Sequence, residues 1–147
     1  MTPKATLKKH ERLKSKILLD SLFADGQSNF SYPLKLIFKI QPYTAAPLGS
    51  TPDPTTKHQP WPLLFSVSVP KKKVKSAPKR NLIKRRVRES YRLAKGDLQT
   101  YLLDDPKVIV SLMFIYIENE PKDYAVIEKA VVKLIKQLHN KIIKVQS

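Results

Sequence analysis

Two rhythms of apolar and polar residues run along the chain. In residues 16–24, Leu18, Leu19, Leu22 and Phe23 recur at helical spacing. Ser15 stands where an N-cap belongs and Gly26 lies just past the end, so a short amphipathic helix is predicted. Residues 34–40 switch to period two. Leu34, Leu36, Phe38 and Ile40 point one way and Lys35, Ile37 and Lys39 the other, which predicts a strand. Residues 63–69 repeat the pattern, with Leu63, Phe65, Val67 and Val69 on one side, Ser66 and Ser68 on the other, and Pro70 as the stop. A basic turn follows over 71–75. Ser76 can cap a helix that tolerates Pro78 in its first turn, runs to about Lys95 and stops at Gly96. Residues 98–103 either extend it or form a separate turn. Residues 107–117 are apolar and β-branched, the mark of a buried strand. Asp123 can cap a last helix with the apolar stripe Ile127, Val131, Leu134, Ile135 and Leu138.

The segments between these elements are of two kinds. Residues 1–14 are basic and weakly patterned and are expected to form a flexible or frayed arm. Residues 42–62 hold six of the 12 prolines and little periodicity. They read as a long surface loop inside one domain spanning 1–147, because few of them could join a sheet ladder. The predicted order is helix, strand, strand, helix, strand, helix, with room for another strand near Pro70 or Glu118. A mixed sheet with helices packed on it makes this a single-domain α+β fold.

Charge narrows the function. Lys and Arg number 28 against 12 Asp and Glu, a formal charge of +16. So large an excess repels itself unless a polyanion neutralises it, which points to nucleic acid or an anionic surface. No cysteine is present, so thiolate metal sites, disulfides and cysteine nucleophiles are excluded. The basic stretch 1–16 does not resemble a signal peptide, and the longest apolar run, 108–117, is half the length of a membrane span. A cytoplasmic protein without membrane contact is expected. His10, His58 and His139 fall in separate segments without metal spacing, and the carboxylates are scattered, so no catalytic residue and no protein-bound metal or cofactor is assigned.

The excess is concentrated. Residues 71–95 hold twelve Lys or Arg and one acid, Glu89, which is +11 of the +16. On a helical wheel at ~100° per residue, Ile83, Val87, Tyr91 and Ala94 gather on one side. Asn81, Lys84, Arg85, Arg88, Arg92 and Lys95 gather on the other. Solvated faces usually mix signs, since like charges three or four apart cost a few tenths of a kcal/mol per pair, roughly. Here Lys84–Arg88, Arg88–Arg92 and Arg85–Arg88 are all like-charge pairs, and bound phosphate would offset that cost. A membrane-surface helix fits less well, because Tyr91 and the β-branched residues suit core packing.

The run from Val74 through Ala77, Arg80, Asn81, Leu82, Ile83, Lys84, Arg85, Arg86 and Val87 to Arg88 resembles the basic-helix motif of the protein subunit of bacterial ribonuclease P. Leu82 stands where that family often has a further cation. Arg12-Leu13-Lys14-Ser15, the Leu22-Phe23-x-x-Gly26 helix end, Tyr32-Pro33-Leu34 and the strand running into Pro70-Lys71-Lys72 are also similar, so the likeness covers roughly residues 7–98. Loop 42–62 looks like an insertion relative to compact members.

The resemblance implies a ribosomal-protein-like αβββαβα fold with a left-handed βαβ crossover. It also implies a non-catalytic protein subunit of a ribonucleoprotein endoribonuclease, in which the RNA and its Mg²⁺ do the chemistry. Its partners would be ribonuclease P RNA, bound by the basic helix, and precursor tRNA, whose 5′ leader lies in a cleft on the sheet. The RNA-binding candidates are Arg80, Asn81, Lys84, Arg85, Arg88 and Arg92, with Lys71 and Lys72 of the turn. Phe23, Tyr32, Phe38, Lys35 and Lys39 are candidates for the leader cleft, as aromatic and cationic partners for a single strand. The alternative is a ribosomal or general RNA-binding protein without a processing role. A DNA-binding helix is disfavoured, because Asn81 is the only obvious base reader and no dimerisation helix is evident.

Overall fold

The computed structural model describes residues 9–14, 16–42, 61–104 and 107–146. After a 3₁₀ turn at Lys9–Glu11 come α1 (Lys16–Asp25), β1 (Gln27–Ser31), β2 (Leu34–Pro42), β3 (Leu63–Ser68), α2 (Ala77–Ala94), α3 (Gly96–Asp104), β4 (Val108–Tyr116) and α4 (Tyr124–Gln146). The four strands form one mixed sheet in the order β1-β2-β4-β3. β4 runs parallel to β3 and antiparallel to β2, and β1 is antiparallel to β2. The order of elements is that of an αβββαβα fold with α3 added before β4.

The alternation in β2 decides its two faces. Leu34, Leu36 and Phe38 are fully buried against Ile83, Val87 and Tyr91 of α2 and Ile127, Val131, Leu134 and Leu138 of α4, in the larger core. Ile37, between them, faces the opposite way and joins Leu13, Leu18, Leu22 and Met113 in a smaller core under α1. β4 is apolar on both sides because it is central and covered on both. Val110, Leu112 and Phe114 face one core, and Met113 faces the other. Among the described residues no helix is long and apolar enough to cross a membrane.

Several expectations change. The additional strand lies at 27–31, not near Pro70 or Glu118. Its sequence, QSNFS, is polar and mostly exposed, because an edge strand with one neighbour has little to bury. Residues 96–104 form their own helix. α2 ends at Ala94, and Lys95 caps it through its N–H, which donates to the Tyr91 carbonyl. The Lys95 side chain is buried and ion-paired with Glu11, so it does not continue the outward cationic stripe. Residues 9–14 are docked rather than frayed: Arg12 bridges to Phe65, and the Leu13 N–H donates to the Phe65 carbonyl at 2.7 Å. His10 packs edge-on against Trp61, ring centroids 4.5 Å apart. Ser15, residues 1–8 and residues 43–60 of the proline-rich loop lie outside the described residues.

Candidate RNA interface

The orientation of α2 is set by what its inner face buries. Ser76 accepts from the Lys79 N–H at the start, and Pro78 occupies the first turn, where no intrahelical donor is needed. Tyr91 stacks on Phe65, centroids 4.1 Å apart and planes 14° from parallel, and meets Phe114 edge-on. With Ile83, Val87 and Tyr91 all fully buried, the opposite side of the helix must face outward.

The polar side chains of the helix divide into two groups. Asn81, Arg85 and Arg88 are exposed and Lys84 is half-buried. None of the four side chains has a hydrogen-bond or ion-pair partner among the described residues. Arg80 and Arg92 are committed. The Arg80 guanidinium donates to the carbonyls of Val74 and Lys75, at 3.0 and 2.8 Å, and so ties the basic turn to the helix start. Arg92 makes two bonds to Glu89, at 3.0 and 2.5 Å, which hold the Glu89 carboxyl below its usual range and push the guanidinium up. Arg86, outside the predicted set, donates to the Lys122 carbonyl at 2.6 Å and anchors α2 to the start of α4.

Lys71 and Lys72 project from an exposed turn fixed by buried Val74 and by the N–H groups of Lys73 and Val74, which both donate to the Pro70 carbonyl at 3.0 Å. Beside it opens a cavity of ≈ 450 Å³ lined by Lys72, Lys73, Val74, Lys75, Ser76, Lys79, Asn119 and Glu120. Lys79 is paired with Glu120 at 3.1 Å. The exposed lysines of the turn thus lie next to the start of the cationic helix.

The leader candidates separate. Phe38 is fully buried among core residues and its ring is unavailable for stacking, a correction that follows from its place in the inward row of β2. Phe23 is 59% exposed at the end of α1 and Tyr32 is 50% exposed in the β1–β2 turn. Tyr32 donates to Glu118, a bond that raises its own pKa and lowers that of the carboxyl, and Lys122 lies over its ring. Lys35 is exposed on the α1 side of the sheet. Lys39, on the same side, is drawn to Ser21 at 2.5 Å and Asp25 at 3.6 Å.

The pairing also brings in a residue that sequence reasoning missed. Phe30 lies directly opposite Lys35, Lys35 opposite Ile115, and Ile115 opposite Ser68. Directly opposed residues share a face, so Phe30, Lys35, Ile115 and Ser68 form a row across all four strands. Phe30 is 60% exposed at its edge. The available signal was length: a helix ending before Gly26 and a turn at Tyr32-Pro33 leave five residues, enough for one strand. Among the described residues no three His, Asp or Glu converge as a group that could hold a metal ion.

Comparison with known proteins gives a consistent picture. The family model described as Ribonuclease P matches residues 7–139. A ribonuclease P protein component of Porphyromonas gingivalis is 33% identical over 135 residues, covering 90% of this chain and 88% of the relative. That of a second strain is 31% identical over 131 residues, covering 89% and 85%. The solved ribonuclease P protein of Staphylococcus aureus superposes with a TM-score of 0.54 at 16% identity, over 87% of this chain and 94% of that one. A mutant of the same protein, described as defective in mRNA degradation, gives 0.58 at 16% identity, over 88% and 89%. The two superpositions establish a shared fold.

Proposed function

This chain belongs to the ribonuclease P protein family, and from that premise we propose a division of labour over its surface. It is an RNA-binding component of an endoribonuclease ribonucleoprotein acting in tRNA 5′ processing. In the proposed arrangement the outer face of α2 and the turn before it hold ribonuclease P RNA, while the α1 side of the sheet receives the 5′ leader of precursor tRNA. Mg²⁺ bound to the RNA subunit supplies the cleavage chemistry, and this chain's residues bind and orient.

The observation that carries the reading is the cationic face of α2. Lys84, Arg85 and Arg88 are held outward by a fully buried opposite face and have no acid to pair with among the described residues. Uncompensated cations at helical spacing repel one another. A phosphate backbone removes that repulsion and releases condensed counterions as it does so. Arg80 acts one step back, by fixing the turn that presents Lys71 and Lys72. On the other side of the sheet, Phe30 offers a ring to one base and Lys35 a charge to the adjoining backbone, the pairing a single strand needs. Phe23 and Tyr32 flank the same route, and Lys39 contributes while held by Ser21 and Asp25.

The test is cleavage of precursor tRNA by ribonuclease P RNA at low Mg²⁺, with and without the protein. Strong stimulation by the wild type, lost in Arg85→Ala/Arg88→Ala, is the expected result. Salt-sensitive RNA binding without stimulation would replace this reading with that of a general RNA-binding protein.

A further inference from the structure

A second cationic surface lies on α4. From Lys129 to the end of the sequence there are five lysines and no acid. Four of them, Lys129, Lys133, Lys136 and Lys144, are exposed and, with exposed Asn140, recur every three or four residues. On the helix they fall within about 80° of one another, diametrically opposite Ile127, Val131, Leu134, Leu138 and Ile142, which are all fully buried. The row is about 22 Å long at 1.5 Å per residue. None of the four ammonium groups has a hydrogen-bond or ion-pair partner among the described residues. The buried apolar face removes the other common use of a basic amphipathic helix, lying on a membrane, because that face is already spent on the sheet.

The row does not stand alone. α2 and α4 pack on the same side of the sheet, joined by the bond from Arg86 to the Lys122 carbonyl. Each turns its inner side to the core, so their outer sides face the same way. The layer therefore presents two cationic rows, Lys84, Arg85 and Arg88 on α2 and the lysines on α4, on neighbouring helices whose axes pack about 10 Å apart. Glu89 is the one acid of α2, and Arg92 already neutralises it.

We propose that the lysine row of α4 is a second RNA-contacting surface, and that the two rows together grip the backbone on both sides of one groove of an RNA duplex. One row suffices for a single strand. Two rows side by side suit two strands of phosphate, and contacts of this kind read helix shape, not base sequence. The inference rests on the RNA-binding reading above but concerns residues that reading does not use.

The test is equilibrium binding of the full chain to ribonuclease P RNA, to a short RNA duplex and to unstructured oligouridine of equal charge, between about 50 and 200 mM salt. The variant is Lys129→Gln/Lys133→Gln/Lys136→Gln, with the corresponding triple arginine variant as the charge-retaining control. The glutamine variant is expected to bind the duplex and ribonuclease P RNA at least about tenfold more weakly, with a log–log salt slope shallower by about 2 to 3. The arginine variant restores both, and oligouridine binding changes much less. Wild-type affinity and slope on both structured RNAs would overturn the proposal, and equal losses on duplex and oligouridine would overturn its duplex assignment. Arg85→Ala/Arg88→Ala in the same titrations reads the α2 assignment separately, so either surface can fail without the other.

Discussion

Glu11 and Lys95 form an ion pair across 84 residues of sequence, with each side chain only 3% exposed. It fastens the segment before α1 to the end of α2, beside the bridge from Arg12 to Phe65. Removing either partner leaves a buried charge without its counterion. Glu11→Gln or Lys95→Met is therefore expected to cost about 3–5 kcal/mol in urea unfolding, and the double replacement Glu11→Leu/Lys95→Met to recover much of it. A double variant as unstable as the singles would show that the pair's packing matters more than its charge.

Close by, the Tyr91 hydroxyl is buried with no hydrogen-bond partner among the described residues. Burial raises its pKa well above the usual tyrosine value, and the nearby Glu11 charge adds to this. Tyr91→Phe keeps the stack on Phe65 and removes an unsatisfied polar atom. Stability should stay level or rise by up to about 1 kcal/mol, against a loss of about 3–5 for Tyr91→Ala. Denaturant midpoints of the two variants check this.

Tyr116 gives the alkaline limit a definite window. Its hydroxyl donates to the Glu120 carbonyl at 2.5 Å and accepts from the Lys122 N–H at 3.0 Å. Burial lifts its pKa from 10.0 to about 12, partly opposed by the Lys122 N–H. A raised pKa in the folded state means the folded form holds the proton more tightly. The stabilisation is complete below pH 10 and is lost as pH rises toward 12. Unfolding free energy should fall across that interval, and Tyr116→Phe should flatten the fall.

Much of this architecture was legible in the sequence, for a physical reason. β2, β3, α2 and α4 each bury one face more completely than the other, and burial writes a period of two or of 3.6 residues. That logic also indicated Phe38 correctly as a member of the Leu34–Leu36 row, so offering it as an RNA partner ran against its own pattern. β1 escaped because an exposed edge strand has no buried row to reveal it. Lys95 escaped because a wheel knows nothing of residues far along the chain, and Glu11, 84 residues earlier, draws its side chain into a buried pair. The commitments of Arg80 and Arg92 were hidden more deeply: they depend on carbonyls freed by a turn and on one glutamate three residues back.

Gly26 is a position where only the absence of a side chain fits. A Cβ there would lie 2.3 Å from the Leu22 carbonyl oxygen and 2.8 Å from Ile37 Cγ2. The first neighbour is backbone in α1 and cannot swing aside. Gly26→Ala should therefore separate α1 from the sheet and cost about 1–3 kcal/mol, read as a lower Tm. Gly96→Ala meets nothing within 4 Å and serves as the control.

Phe30 and Phe38, on opposite faces of the sheet, should behave in opposite ways. Phe38→Ala opens a cavity in the larger core and is expected to cost about 3–5 kcal/mol of stability. Phe30→Ala removes a ring that is 60% exposed and should leave the Tm nearly unchanged. If a leader base stacks on Phe30, its loss should weaken binding of a leader-bearing precursor by about 1–3 kcal/mol while leaving mature tRNA binding as it was. Equal affinity of Phe30→Ala and wild type for both RNAs would take Phe30 out of the leader path. The comparison between precursor and mature tRNA matters because a general loss of RNA affinity would point to α2, on the other side of the sheet.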